Sequence, residues 1–143
     1  MSPGRPDAAL VRRHLVALDE VLQVLRRHQG VTVKELQADR ERLWIVEHGL
    51  QLAAQNVLDV ATHLAASAGR ETPDYAGAVD RLGELGVLPA PFAASLRGIA
   101  GFRNVLVHGY LDVDLDEVVD LLGSRLDDFV RFVRHVEEHM ASS

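Results

Sequence analysis

With 143 residues, 48% hydrophobic and 25% charged, the chain has the length of one domain and the make-up of a globular protein soluble in water; no apolar run approaches a membrane span. The formal charge of −6 argues against binding nucleic acid through a bulk positive field and leaves only local contacts, or contacts shared with a partner. Having no cysteine, the chain can hold no disulfide, thiolate metal site or cysteine nucleophile.

The start, "MSPGRPDAAL", lacks the basic and then apolar pattern of a secretory signal, which points to the cytoplasm, and residues 1–6 read as a disordered tail. From there the apolar residues recur every three or four positions, a helical spacing throughout, with almost no strand signal. Leu10, Leu15, Leu18, Leu22 and Leu25 trace the stripe of a first helix, for which Gly30 is the natural stop. Thr32 and Glu35 have the spacing of a short capping box, and Asp39 that of the cap of the next helix. That helix, marked by Leu43, Val46, Leu50, Ala53, Val57, Ala61 and Leu64, runs to Gly69, and its alanines suit close packing against a neighbour. Thr72 is then expected to cap a shorter helix, with Pro73 in the first position and an end near Gly86. A fourth helix is expected from Pro91 to His108. A fifth is expected after Asp114, through Leu115, Val118, Leu122, Leu126, Phe129, Val133 and Val136, with Asp114 and Glu117 at N-cap and N3 spacing. The fold class expected is all-α: an up-and-down bundle of about four long helices plus one shorter helix, forming one domain over residues 7–139, with 140–143 as a tail.

The segment "GFRNVLVHGY", Gly101 to Tyr110, departs from an ordinary core helix. Phe102, Leu106 and Ile99 belong to the buried stripe, but Arg103, Asn104, His108 and Tyr110 do not. On an ideal helix of roughly 100° per residue, Arg103 and His108 lie about 140° apart, so a regular helix cannot aim them at one point. Two geometries bring them together: Gly109 ends the helix and lets the imidazole swing back, or two copies of the protein pack these ends against each other. A plainer reading is also open, in which Arg103 meets a carboxylate, His108 sits at a helix C-terminus where a cation is favoured, and Tyr110 is a half-buried ring.

The pattern Arg103, Asn104, three apolar residues, His108, one residue, Tyr110 resembles the R-x4-H-x-Y signature of HEPN domains, in particular the HepT-like toxin branch. The resemblance covers "DRERLWIVEHGLQLAAQNVLDVATHLAA", "YAGAVDRLGELGVLP", "FRNVLVHGY" and "DVDLDEVVDLLGSRLDDFVRF", most of the chain from Asp39 to Phe132. Gly109 stands where members often carry an aspartate or another polar residue. What the resemblance implies is a HEPN-like helical bundle and an endoribonuclease toxin that needs no metal and no cofactor, working as a homodimer in which each chain gives Arg103 and His108 to a shared cleft. The chemistry agrees with those residue types. Histidine titrates near neutrality and can take the ribose 2′-hydroxyl proton or protonate the leaving 5′-oxygen. The planar fork of arginine matches phosphate oxygens and holds their developing charge. Asn104 would orient the phosphate or a base, or bond only to backbone or water. The same resemblance implies an antitoxin partner, an MNT-type nucleotidyltransferase, that attaches AMP at Tyr110. A non-catalytic HEPN module that binds and assists such an enzyme is the alternative, and the net acidity mildly favours it.

Two other signals carry less. "HVEEH", His135 to His139, has the H-x-x-E-H pattern of one metalloprotease group, but no third ligand is in view and the pair lies at the chain end, so no metal site is expected. The acidic run "DVDLDEVVD", Asp112 to Asp120, reads as a solvated helix start that can help to dock a cationic enzyme surface. His14, His28, His48 and His63 read as surface or boundary residues, and Trp44 as a packing residue.

Overall fold

The computed structural model describes residues 4–142, together with the backbone but not the side chain of Tyr110. The expected tails at 1–6 and 140–143 therefore fall partly outside the described residues. Eight α-helices and one 3-10 turn follow in order: α1 (Ala8–Arg26), α2 (Val33–Ala38), α3 (Arg40–Ser67), α4 (Tyr75–Glu84), α5 (Ala90–Leu96), α6 (Gly98–His108), the turn Tyr110–Asp112, α7 (Leu115–Ser124) and α8 (Leu126–Ala141). No strand occurs among the described residues, as the helical spacing requires.

The bundle is organised around α3. Its buried residues Val46, Leu50, Ala53, Ala54, Val57, Leu58, Ala61 and Leu64 spread over more than one flank, and the alanines let neighbours approach on each. On one flank α1 runs antiparallel to it. The Asp7 N–H donates to His63 Nε2 at 2.8 Å, His14 Nδ1 lies 2.8 Å from Asn56 Oδ1, and Arg42 Nε donates to His28 Nδ1 at 3.1 Å, so the numbering rises along one helix as it falls along the other. Leu18, Leu22 and Leu25 of the expected stripe are buried, and Val11 joins them while Leu10 and Leu15 are only half-buried. The other flank of α3 receives α4 and α6. α8 closes the bundle against α1 and against α5, where Arg131 lies 4.2 Å over the Phe92 ring.

Caps account for most of the boundaries. Thr32 and Glu35 form the full reciprocal capping box of α2, and Asp39 Oδ1 accepts from the Arg42 N–H at the start of α3. Gly30, Gly69 and Gly86 follow α1, α3 and α4 with φ of 85°, 74° and 76°, the left-handed region open to glycine.

Four expectations need correction. Asp74, not Thr72, caps α4, accepting from the Gly77 N–H at 2.6 Å, while the Thr72 hydroxyl turns to donate to the Asp74 carbonyl. The helix expected from Pro91 to His108 divides at Arg97: Ser95 Oγ donates to the Phe92 carbonyl, Gly98 follows, and Arg97 turns its side chain to Asp80 at 3.0 Å. The last helix divides at Arg125, after Gly123 and Ser124, whose hydroxyl donates to the Asp120 carbonyl. Each pair still keeps its apolar stripe, because Phe102 and Leu106, then Val118, Leu122, Leu126, Phe129 and Val136, are all buried. Trp44 does not pack in the core either; it is 59% exposed on the outer side of α3, with Arg40 5.8 Å over its ring.

Candidate active site

Buried Ile99, Phe102 and Leu106 fasten α6 to the bundle and so fix the direction in which its polar residues leave it. Arg103 is half-buried and points to α3 and α4. Its Nε–H donates to Gln55 Oε1 at 2.7 Å, its Nη1 to Asn104 Oδ1 at 3.1 Å, and its guanidinium carbon lies 5.4 Å from the centre of the Tyr75 ring. Gln55 donates in turn to Asp59 Oδ1 at 2.7 Å and to the Tyr75 hydroxyl at 3.2 Å. No carboxylate pairs directly with Arg103 among the described residues, and its Nη2 has no protein partner there.

His108 closes α6, exposed, and makes no hydrogen bond or ion pair among the described residues. α6 is unbroken from Arg103 to His108, so their ideal offset of about 140° stands, with a rise of about 7.5 Å between them. No hydrogen bond joins the imidazole to Arg103, and the regular helix sets the two side chains on different faces. Gly109 does stop the helix, its N–H donating to the Val105 carbonyl at 2.8 Å, but with φ −114° and so without a left-handed conformation. What a side chain there would meet is the same carbonyl, 3.2 Å from an added Cβ. Asn104 is exposed, bound to Arg103. Tyr110 opens the 3-10 turn just beyond the helix, and its side chain lies outside the described residues.

The carboxylates of Asp112, Asp114, Asp116, Glu117 and Asp120 are all exposed; Asp114 caps α7 through the Asp116 N–H, and Asp120 receives the Ser124 hydroxyl. His135 stacks at 5.5 Å on Phe92, and with Glu138 and His139 it borders a cleft beside the turn between α4 and α5. Among the described residues no three histidine or acidic side chains are arranged to hold a metal ion. His14, His28 and His63 bond across the α1–α3 seam, where burial foremost, helped by Arg42 and Arg27, lowers the His28 pKa from its usual value.

Gln55, Asp59 and Tyr75 went unnoticed in the sequence. One trace was available: Gln55 and Asp59 are four apart, on one face of a helix otherwise rich in alanine and aliphatic residues. Their link to Arg103, 48 positions away, is a tertiary fact that spacing cannot express.

Residues 17–136 match the family described as ribonuclease HepT-like. A protein named tRNA nuclease HepT, from Aphanizomenon flos-aquae, is 22% identical over 136 residues, 94% of this chain and 92% of that one. Another, named mRNA nuclease HepT, from Shewanella oneidensis, is 27% identical over 85 residues, 59% of this chain and 64% of that one. Among solved structures, a chain of the complex described as tri-AMPylated Shewanella oneidensis HEPN toxin with MNT antitoxin has the same fold, with a TM-score of 0.81 at 19% identity, covering 90% of this chain and 97% of that one. The family match spans the core of the bundle and the whole of α6, and the chain belongs to the ribonuclease HepT-like family.

Proposed function

We propose that this protein is an endoribonuclease toxin that cuts RNA without a metal, at a cleft formed by two copies of the chain, and that a partner nucleotidyltransferase of the MNT type silences it. The observation that carries the reading is Arg103. Its guanidinium is anchored at Nε yet unpaired with any carboxylate among the described residues, which leaves its outer edge open to an anion. Relatives named as nucleases support the same reaction class.

The cleavage follows from the residue types. A neutral His108 imidazole takes the proton of the ribose 2′-hydroxyl as that oxygen attacks the adjacent phosphorus. Arg103 holds the phosphate oxygens as charge gathers on them. A protonated imidazole then gives its proton to the 5′-oxygen as the P–O5′ bond breaks, leaving a 2′,3′-cyclic phosphate and a 5′-hydroxyl. Two histidines are needed at once, and one chain supplies one at this site, on a side of α6 turned away from Arg103. A second copy completes the set, so the working unit is a homodimer, and the surface available to it includes Val105, 40% exposed between the two motif residues, and Leu111, 84% exposed just beyond. Asn104 steadies Arg103 or the phosphate. The reaction takes place in the cytoplasm, where RNA and ATP are both present.

Tyr110, two residues past His108, is the acceptor for AMP. Its phenolic oxygen attacks the α-phosphorus of ATP on the partner enzyme and pyrophosphate leaves, which places a phosphate, a ribose and a base where RNA must enter. The AMPylated complex among the structural relatives supports this assignment. The net charge of −6 supports a second reading, a HEPN module that binds and assists the nucleotidyltransferase without cutting RNA. Incubating the purified chain with RNA in EDTA separates the two. Cleavage that persists in EDTA is expected; cleavage that stops and returns with a divalent metal overturns the mechanism, and none under either condition leaves the second reading.

A further inference from the structure

Resting on that ribonuclease reading, we propose that Gln55 is a positioning residue: an amide relay that holds the Arg103 guanidinium end-on to the phosphate and keeps the Asp59 carboxylate from pairing with it. The direction of the Gln55 amide is dictated by its neighbours. Asp59 can only accept and Arg103 Nε–H can only donate, so the amide nitrogen must face Asp59 and the amide oxygen Arg103. Turning the amide over would set oxygen against carboxylate and N–H against N–H. The Tyr75 hydroxyl accepts from the same amide nitrogen at 3.2 Å, and its ring lies under the cation.

The consequence lies in which N–H groups of Arg103 remain. Nε is engaged by Gln55, and one Nη1 hydrogen by Asn104. The other Nη1 hydrogen and both on Nη2 are left, and the end-on edge of the fork is the one shared by Nη1 and Nη2. A phosphate can take two parallel hydrogen bonds on that edge while Nε stays on Gln55. Asp59 sits one helical turn from Gln55 on the same face of α3, bonded to the far side of that amide, and without the amide its carboxylate is free to turn to the guanidinium. An ion pair formed there would turn the fork sideways and offset the charge that the phosphate needs. The amide transmits the anchoring of a carboxylate while interposing a neutral group.

The test measures kcat and KM for cleavage of one RNA oligonucleotide by the full chain, with the Arg103 Nε–H signal in a 15N–1H spectrum as a second readout, assigned by its loss in Arg103→Lys. Gln55→Leu should lower kcat at least about tenfold, toward the ~10²-fold that ångström-scale misplacement can cost. The Nε–H signal should shift. Adding Asp59→Ala to Gln55→Leu should recover part of the lost kcat, which a merely structural Gln55 would not permit. Gln55→Met, which keeps the side-chain length, takes the place of leucine if that variant fails to fold. Wild-type kcat in Gln55→Leu overturns the proposal, and so does a loss of activity with the Nε–H signal unmoved or with no recovery in the double variant. A wild type that cuts no RNA while the Nε–H signal still shifts in Gln55→Leu overturns the ribonuclease reading, and the catalytic role of the relay falls with it, although Gln55 then still anchors Arg103.

Discussion

Replacing Arg103 by lysine keeps the charge and removes the geometry, which makes it the sharpest probe of what this side chain contributes. The ammonium cannot reproduce the donation to Gln55 and to Asn104, nor the two parallel bonds that a guanidinium edge offers a phosphate. If lysine retains one of those two bonds, the loss in the transition state is one charge-assisted hydrogen bond, roughly 1.5–3 kcal/mol. At 1.36 kcal/mol per decade that is roughly ten- to a hundredfold in kcat/KM. Stability should hardly change. Arg103 is half-buried, Gln55 keeps Asp59 and Tyr75, and a net loss of about 1 kcal/mol in a chain of this size lowers Tm by roughly 2–4 °C. A fluorescent RNA cleaved under single-turnover conditions, alongside a thermal melt, reads both quantities. A lysine variant as fast as the wild type would refute the argument from fork geometry, and a Tm drop of roughly 10 °C or more would recast Arg103 as a structural residue.

Gly49→Ala should destabilise the fold, because the added Cβ would lie 2.7 Å from Cδ2 of the fully buried Leu25; overpacking of about 1–3 kcal/mol outweighs the helix-propensity gain of about 1 kcal/mol. Gly101→Ala, on the open side of α6 with nothing within 4 Å, should stabilise by about 1 kcal/mol, and denaturant unfolding of the two variants checks the opposite signs. His28 gives a pH dependence. Burial first, then Arg42 and Arg27, hold its folded pKa below 6.5, so the unfolded chain takes the proton first. Its contribution is complete above pH 6.5 and is lost as the pH falls through the folded value; the Tm of His28→Gln should therefore fall less steeply below pH 6.5 than that of the wild type. Tyr110→Phe should cut RNA normally yet stay active with the partner nucleotidyltransferase and Mg-ATP, and intact-mass measurement should find adenylate on the wild type alone.

The helices were legible because burial leaves a periodic trace: the stripe of α3 and the residues Phe102, Leu106, Phe129 and Val136 are buried where their spacing puts them. Caps were legible where a side chain has one available use, as at Asp39, and misread at Thr72, where two capping residues on either side of Pro73 compete and the aspartate takes the backbone N–H. The divisions at Arg97 and Arg125 escaped notice because apolar spacing continues across them, while hydroxyls of Ser95 and Ser124 back-bond to the preceding turn. At the candidate site, Arg103, Asn104 and His108 stand out as polar intruders in an apolar helix. Gln55, Asp59 and Tyr75 belong to other helices, and their relation to Arg103 exists only once α3, α4 and α6 have packed together.

The most direct test of the mechanism is mass analysis of the RNA ends made in EDTA by the wild type and by His108→Ala. General acid–base catalysis by His108 predicts 2′,3′-cyclic phosphate and 5′-hydroxyl ends from the wild type, a rate lower by at least ~10²-fold in the variant, and no cut at a position whose 2′-hydroxyl has been removed. Ends bearing a 5′-phosphate, or an undiminished rate from His108→Ala, would contradict it.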